Sequence, residues 1–350
     1  MAVIIALLAL GLTPARGQEP IALAYTTYYA SMLPDASLVT HINYGFAEVY
    51  VRDGVYQGFK LQGAKYRFNR VVALKRTNPD LKICLSFTHT VVNDDNYQDG
   101  GFSAIAASPD ARRAFALDCK AFIEENGIDG IDLDWEFPGL SWSGAACDPA
   151  VDVANFTLLL KQLRATLGND VLLTFAGYAM DRQHNTSGWR YIDITAAVPY
   201  VDFINVMCYD LDEAPHPHNA VVDATAYIDC QRAVENYHKA GVPFSKMVLG
   251  IPFYVRHSFS TSPTAVDYRK LSQLGSDYEI DNWDDQARVP YVTHNGAYWG
   301  SYDNERSIAI KGEWVRSLGM RGLMYWDAAA DTDDHTLARA VWNATCLAED

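Results

Sequence analysis

The sequence predicts one α/β domain, a single (β/α)8 TIM barrel. Three observations support this fold: eight short apolar runs, segments of helical periodicity between them, and a length of 350 residues, which is normal for one barrel. Hydrophobic residues make up 49% of the chain, so the composition is that of a globular protein. Because no Pro-, Gly- or Ser-rich linker divides the chain, we expect one barrel domain over residues 18–350.

The eight apolar runs are the predicted barrel strands. Several of them, such as IALAY and VLLTFAG, contain no charged residue, as expected for parallel strands that are buried on both faces. In chain order the runs are residues 21–25, 39–49, 81–87, 128–135, 171–177, 200–209, 247–254 and 320–326.

Helix start and stop signals lie between these runs. Ser108 followed by Pro109 predicts a helix start, and Gly127 predicts its end. Residues 152–167 and 304–319 have apolar side chains at helical spacing, and each segment stops at a glycine.

The N-terminal residues predict export. An apolar run at residues 3–13 is followed by Ala15-Arg16-Gly17, which is typical of a signal peptide over residues 1–17 and of a secreted, extracellular protein. No Lys or Arg precedes this run, so a disordered or misassigned start is the alternative. The net charge of −15 disfavours nucleic acid and anionic membranes as partners. We expect a monomer.

The six cysteines include no CxxC pair, which argues against a zinc site. In an oxidising compartment they allow one to three disulfides, and the sequence does not choose among the pairings. Cys84 and Cys208 lie in apolar runs and are also candidates for buried thiols. Asn155, Asn185 and Asn343 are in N-x-S/T sequons, which a eukaryotic secretory pathway would glycosylate.

The most informative motif is the acidic series in the fourth predicted strand. Alternate residues of a strand share one face, so Asp132, Asp134 and Glu136 are expected to point into the barrel together. A barrel interior normally holds Val, Ile and Leu, and burying several carboxyls there is costly. Such an arrangement at the C-terminal end of a barrel strand predicts a catalytic site. A solvated acidic strand or a Ca²⁺ or Mg²⁺ site is the alternative, but one straight strand cannot surround an ion.

Physical chemistry also predicts roles for these carboxyls. Asp132 and Asp134 are close like charges and should share about one proton near neutral pH. Glu136 lies nearest the mouth of the barrel, where burial and a neighbouring anion should raise its pKa. We therefore predict that Glu136 is a general acid.

Over roughly residues 20–345 the chain resembles glycoside hydrolase family 18, the chitinase family. Asp129, Asp132, Asp134 and Glu136, followed by Phe137-Pro138-Gly139, match the family's fourth strand. The shorter matches are Tyr25 in the first strand, Phe46 in the second, Met207-Cys208-Tyr209-Asp210 in the sixth, Tyr254 and Arg256 in the seventh, and Trp326 in the eighth.

The resemblance implies a chitinase that hydrolyses β-1,4-linked N-acetylglucosamine with retention and without an enzyme nucleophile. It implies catalytic roles for Glu136, Asp134, Asp132 and Tyr209, and no metal or cofactor. The implied partner is chitin or chito-oligosaccharides. The substrate-binding residues that it implies are Tyr25, Phe46, Met207, Asp210, Tyr254, Arg256 and Trp326.

The chain departs from the family pattern in two places. Ser86-Phe87-Thr88-His89 stands where the family often has Ser-x-Gly-Gly, so the third loop should differ in shape. His89 is a candidate cleft residue or an incidental loop histidine. Only about 65 residues separate the seventh and eighth strands, too few for the family's full α+β insertion together with a helix, which predicts a shallower groove suited to endo action.

Two other functions remain open from the sequence. An endo-β-N-acetylglucosaminidase that acts on N-glycan cores would share the chemistry, and an inactive chitin-binding lectin would share the fold. The four implied catalytic residues argue against the lectin. Trp142, Trp283 and Trp299 are candidates either for sugar platforms at the rim or for packing.

Overall fold

The computed structural model describes residues 19–92, 101–140, 146–179 and 192–347. Fourteen strands and eight α-helices lie in these ranges. The strands are β1 (Ile21–Thr27), β2 (His41–Arg52), β3 (Val55–Leu61), β4 (Lys82–Thr88), β5 (Gly130–Asp134), β6 (Leu172–Tyr178), β7 (Phe203–Met207), β8 (Met247–Pro252), β9 (Tyr254–Arg256), β10 (Ala265–Asp267), β11 (Tyr278–Asp284), β12 (Val289–His294), β13 (Ala297–Ser301) and β14 (Gly322–Trp326). The helices are α1 (Lys65–Val72), α2 (Phe102–Ala107), α3 (Pro109–Asn126), α4 (Asp152–Leu167), α5 (Ile194–Ala197), α6 (Cys230–Lys239), α7 (Glu305–Ser317) and α8 (Thr336–Trp342).

Eight parallel strands close into a barrel, which confirms the predicted fold. They are β1, β2, β4, β5, β6, β7, β8 and β14. The barrel closes because β1 pairs in parallel with both β2 and β14. The strand β3 extends the sheet as an antiparallel hairpin partner of β2. The predicted strand bounds match the observed ones at some ends and differ by at most about three residues at the others.

The predicted helix signals act as caps. The Ser108 side chain accepts a hydrogen bond from the backbone N–H of Ala111 and starts α3 at Pro109. Gly127 ends this helix with a φ of 64°, a left-handed conformation that glycine adopts without strain. The helix α7 starts at a capping box between Asn304 and Ser307.

The interval between the seventh and eighth barrel strands holds a five-stranded antiparallel sheet in the order β10-β9-β13-β12-β11. The sequence analysis predicted no sheet here. One signal was available: Asn295-Gly296 joins β12 to β13 with φ values of 50° and 77°, which is the turn chemistry of a two-residue hairpin. This sheet carries Tyr254 and Arg256 on β9, its first strand in chain order.

Apolar side chains pack in separate layers inside and outside the barrel. The inner layer is a small cluster that consists of Ile21, Leu23, Tyr25, Phe203, Val248 and Met324. The outer layer, between the strands and the helices, is the main core and includes Ile131, Leu133 and Phe156. Polar side chains lie above the inner cluster, towards the C-terminal ends of the strands.

All six cysteines lie in the described part of the chain and are free thiols, with Cys84 and Cys208 buried. Asn155 lies in α4 and Asn343 is exposed just after α8. Asn185, Trp142 and the predicted signal peptide fall outside the described residues. Within the ranges that are described, no helix has the length and apolarity to cross a membrane.

Candidate active site

The fourth barrel strand, β5, presents its carboxyls to the barrel interior. Asp132 is fully buried and Asp134 is 8% exposed, whereas Glu136 lies just beyond the strand and is half-buried. The alternate residues face the helices, where the Trp135 ring stacks on Phe102 with 5.3 Å between centroids. The period of two along the strand therefore separates an acidic inner face from an apolar outer face.

Asp132 is held by hydroxyl and amide donors from four other barrel strands. Its Oδ2 accepts from Tyr25 Oη at 2.8 Å and from Ser86 Oγ at 2.7 Å. Its Oδ1 accepts from Thr174 Oγ1 at 2.6 Å and from Asn205 Nδ2 at 3.3 Å. Burial raises the pKa of Asp132, and these hydrogen bonds oppose the rise because they favour the charged form.

Asp134 and Glu136 are hydrogen-bonded to each other and titrate together. Burial raises the pKa of Asp134 well above its usual value, and the charges of Glu136 and Asp132 raise it further. Burial also raises the pKa of Glu136 to about 7; the hydrogen bond with Asp134 opposes this rise and the charge of Asp210 adds to it. Near neutral pH, the pair therefore holds a proton beside the cleft.

Asp210, after the sixth barrel strand, is ionised and fixed. Arg256 donates to it from Nε at 2.8 Å and from Nη2 at 2.7 Å, in a bidentate pair. Burial opposes ionisation, but hydrogen bonds and charges from His218 and Arg256 outweigh it and hold the pKa of Asp210 well below its usual value. Burial lowers the pKa of His218, and its Nδ1 lies 3.0 Å from the backbone nitrogen and 3.3 Å from Oδ1 of Asp210.

A small pocket of about 70 Å³ lies above the carboxyls and has room for a group of a few heavy atoms. Its lining consists of Tyr25, Asp134, Glu136, Ala176, Met207, Tyr209 and Trp326. The Trp326 ring is supported from behind by Phe46, which stacks on it with 5.8 Å between centroids and 25° between planes. Gly250 makes space for Tyr209, because a Cβ at residue 250 would lie 2.7 Å from Tyr209 Cε1.

Two larger cavities share lining residues with this pocket. One, of about 530 Å³, includes Tyr29, Trp326 and Arg256. The other, of about 380 Å³, includes Glu136, Tyr209 and Phe259. Asp210 lines both, and Glu136 lines the second cavity as well as the small pocket, so the three spaces adjoin one another and form a groove.

The structure brings all the predicted site residues to this one end of the barrel. Met207, Tyr209 and Asp210 follow β7, and Tyr254 packs against Tyr209 with 6.3 Å between ring centroids. In the described ranges no cluster of three His, Cys, Asp or Glu side chains is arranged to hold a metal ion.

The sequence analysis missed several residues of the site. Thr174 and Asn205 contact Asp132, and the available signal was a lone polar residue in each of two apolar strands. His218, Tyr29 and Phe259 carried no local signal.

Of the tryptophans proposed as platforms, Trp299 is 5% exposed and stacks on His257, whereas the Trp283 ring is covered by the Arg306 guanidinium, 3.7 Å from its centroid. Both therefore serve packing.

Known proteins match this chain over the region that forms the barrel. The sequence profile described as "Glycosyl hydrolases family 18" matches residues 21–331. Chitinase C of Streptomyces lividans is 28% identical over 85% of this chain and 53% of its own length. Chitinase A1 of Niallia circulans is 29% identical over 75% of this chain and 42% of its own length. This chain thus spans about half the length of these two relatives.

A solved structure supports the same grouping. A glycoside hydrolase family 18 N-acetylglucosaminidase from Paenibacillus barengoltzii has 27% identity and a TM-score of 0.77, with 93% of this chain and 100% of that chain covered. The likeness in fold therefore extends over the whole of that enzyme.

Proposed function

Because this chain belongs to glycosyl hydrolases family 18, we propose that it is a chitinase that hydrolyses β-1,4 links between N-acetylglucosamine units. The observation that supports this proposal best is the small pocket beside Glu136. It combines an acid that is protonated near neutral pH with an acceptor, because Asp134 Oδ1 has no hydrogen-bond partner among the described residues. A 2-acetamido group in this pocket would supply the missing N–H donor.

The proposed reaction has two steps. Glu136 donates its proton to the glycosidic oxygen as the C1–O bond breaks, and the substrate's own acetamido oxygen forms a bond to C1. Asp134 accepts a hydrogen bond from the acetamido N–H and stabilises the positive oxazolinium ion, and the proton that Asp134 and Asp132 share moves to Asp132. Tyr209 holds the acetamido group in line.

In the second step Glu136, now ionised, removes a proton from water, which attacks C1 and opens the oxazolinium ring. Attack comes from the face that the leaving group vacated, so the β configuration is retained. The four hydrogen bonds to Asp132 keep its carboxyl in place throughout. Trp326 offers an apolar face on which the sugar ring would stack.

A second candidate is release of single N-acetylglucosamine units. The similar Paenibacillus enzyme is described as an N-acetylglucosaminidase and is covered along its full length. The two larger cavities that adjoin the small pocket favour the chitinase, because their volumes of about 530 and 380 Å³ leave room for a polymer of several sugar units. The sequence also leaves open cleavage of N-glycan cores and sugar binding without cleavage, and one assay can distinguish all four functions.

The deciding experiment incubates the unmodified protein and Glu136→Gln with chitotetraose and with a high-mannose glycopeptide, and identifies the products by mass spectrometry. We expect the unmodified protein to cut chitotetraose and Glu136→Gln to lose at least about 100-fold in rate, since general acid catalysis contributes 10²–10⁴-fold. Glu235→Gln, a change at a partly exposed residue of α6, is the matched control and should keep full activity.

Each different outcome selects another function. Release of only the monosaccharide would indicate the N-acetylglucosaminidase. Cleavage of only the glycopeptide would move the substrate to N-glycans. Binding of chitotetraose without cleavage would indicate a lectin, and unchanged activity of Glu136→Gln would refute the assigned acid.

The same proposal includes export, with residues 1–17 as signal peptide. The apolar run at residues 3–13 and the small residues at Ala15 and Gly17 support it. N-terminal sequencing of protein recovered from the medium of expressing cells should begin at Gln18. Protein retained inside the cells with Met1 intact would contradict export.

A further inference from the structure

The backbone of Glu136 is contacted by a histidine that directly follows the neighbouring barrel strand. His89, which follows β4, is half-buried, and its Nδ1 lies 3.3 Å from the backbone nitrogen of Glu136 and 3.5 Å from the backbone oxygen of Asp134. We propose that His89 is a positioning residue that holds the peptide of Glu136 and thereby aims its carboxyl at the glycosidic oxygen.

The protonation state of the ring suits this contact. Burial lowers the pKa of His89, so the ring is neutral around pH 7. A neutral imidazole with its hydrogen on Nε2 has a lone pair on Nδ1, which can accept the Glu136 N–H. The strand ladder does not reach this peptide, because the pairing of β4 with β5 ends at Thr88 and Asp134. His89 therefore contacts the Glu136 peptide at a point that the pairing of β4 with β5 does not reach.

The chain that follows His89 is held by a clamp, which the buried side chains of Glu48 and Gln62 form. Gln62 Nε2 donates to Glu48 Oε2 at 2.9 Å and to the backbone oxygen of Thr90 at 3.0 Å. Glu48 Oε2 also accepts the backbone N–H of Val92 at 2.8 Å. Glu48 is 0% exposed and Gln62 is 3% exposed, so the bond between them is shielded from competing water. The clamp fixes the chain on the C-terminal side of His89.

The strand ladder fixes the other side of the same residue. Thr88, the residue before His89, is aligned with Glu48 in the pairing of β2 with β4. The histidine is thus placed by anchors on both sides, although it lies in a loop. A residue that is anchored in this way can hold a neighbouring peptide within the small tolerance that proton transfer needs.

This inference rests on the proposed function for its kinetic test. His89→Leu keeps the size of the side chain and removes the acceptor, whereas His89→Asn places Oδ1 where Nδ1 stood. On chitotetraose we expect Leu to lower kcat about 10-fold with KM changed less than about twofold, because a small misplacement of a catalytic group costs rate more than binding. We expect Asn to restore most of kcat.

The outcomes separate positioning from simple stability. Equal loss of kcat in both variants, or loss in neither, would overturn the proposal. Thermal unfolding of both variants identifies a loss of rate that comes only from a less stable barrel. In that case the rates measured well below the unfolding temperature should match those of the unmodified protein.

A second measurement does not depend on activity. In the unmodified protein labelled with ¹⁵N-histidine, the His89 signals are assigned by their absence from the His89→Leu spectrum. We expect Nε2 to carry the hydrogen and Nδ1 to be unprotonated at pH 7. A hydrogen on Nδ1 would overturn the proposal even if the protein cleaves no chito-oligosaccharide, whereas inactivity with the expected tautomer would count only against the proposed function.

Discussion

The negative charge of Asp210 affects the pKa of Glu136, the proposed acid. Arg256 keeps Asp210 ionised, and the negative charge of Asp210 adds to the rise in the pKa of Glu136 that burial causes. A general acid works only while it is protonated, so the activity of the unmodified protein should fall as the pH rises above about 7.

Removal of that charge should move the basic limb of the pH profile. In Asp210→Asn the pKa of Glu136 should fall, because a nearby anion no longer disfavours its ionised form. We expect the basic limb of kcat/KM on chitotetraose to move to lower pH by about half a unit or more. The measurement is a pH–rate profile.

Asp212→Asn is the matched control for this shift, since it removes the same charge from the same loop two residues away. Its basic limb should stay close to that of the unmodified protein. A shift of Asp210→Asn to higher pH, or an equal shift in both variants, would contradict the assigned coupling between Asp210 and Glu136.

Among the elements, α7 forms a buried ion pair with the short segment that links it to the small antiparallel sheet. Lys311 of α7 donates to Asp303 at 2.7 Å, and both side chains are 0% exposed. Asp303 also accepts from Asn219 and Ser307. The pair and its hydrogen bonds lie where the insertion returns to the barrel, so they connect the sheet to the helix before the eighth strand.

Loss of one partner from this pair should be costly. Lys311→Met leaves the Asp303 charge buried and uncompensated, and we expect the free energy of unfolding to drop by about 3–5 kcal/mol in denaturant titration. Lys239→Met breaks the exposed pair with Glu235 on α6 and should cost less than about 1 kcal/mol. Similar losses in these two variants would show that burial does not set the cost.

An element can be predicted from the sequence when the interactions that form it are local along the chain. Ser108 and Gly127 act on their own helix, so the bounds of α3 follow from local capping chemistry. The small antiparallel sheet escaped prediction because its strands are short and mix polar with apolar residues. Only the Asn295-Gly296 turn marked it.

On the scale of the whole molecule, each of the two larger cavities of the groove is lined by an exposed aromatic ring. Tyr29 is 63% exposed in the larger cavity, and Phe259 is 52% exposed in the other. Flat apolar rings in two adjoining cavities suit the binding of an extended polymer. Under the proposed chitinase activity, we expect cuts inside a chain.

Removal of these rings should change where a long substrate is cut. We expect Tyr29→Ala and Phe259→Ala each to lower kcat/KM on chitohexaose about 3–10-fold and to shift the product sizes in opposite directions, because each weakens one side of the groove. The products are measured by chromatography at early times. Tyr66→Ala, at a 70% exposed ring on α1, should change neither quantity. Release of disaccharides as the sole product by every variant would indicate chain-end action instead.

The sequence by itself determined the barrel and the acidic inner face of its fourth strand. Both follow from short-range periodicity, since alternation along a strand places Asp132, Asp134 and Glu136 together whatever surrounds them. The resemblance to a known family added the residues of the other strands, but it did not supply their contacts.

The tertiary structure alone decided the groups that tune and position these carboxyls. Asp132 is joined to Tyr25 across 107 residues of sequence, and the clamp on the loop of His89 comes from a different barrel strand and its hairpin. Such partners are set by strand register around the closed barrel, which no single segment encodes. The pKa of Glu136 depends on the same closure, because burial is a property of the assembled barrel and not of residue 136 itself.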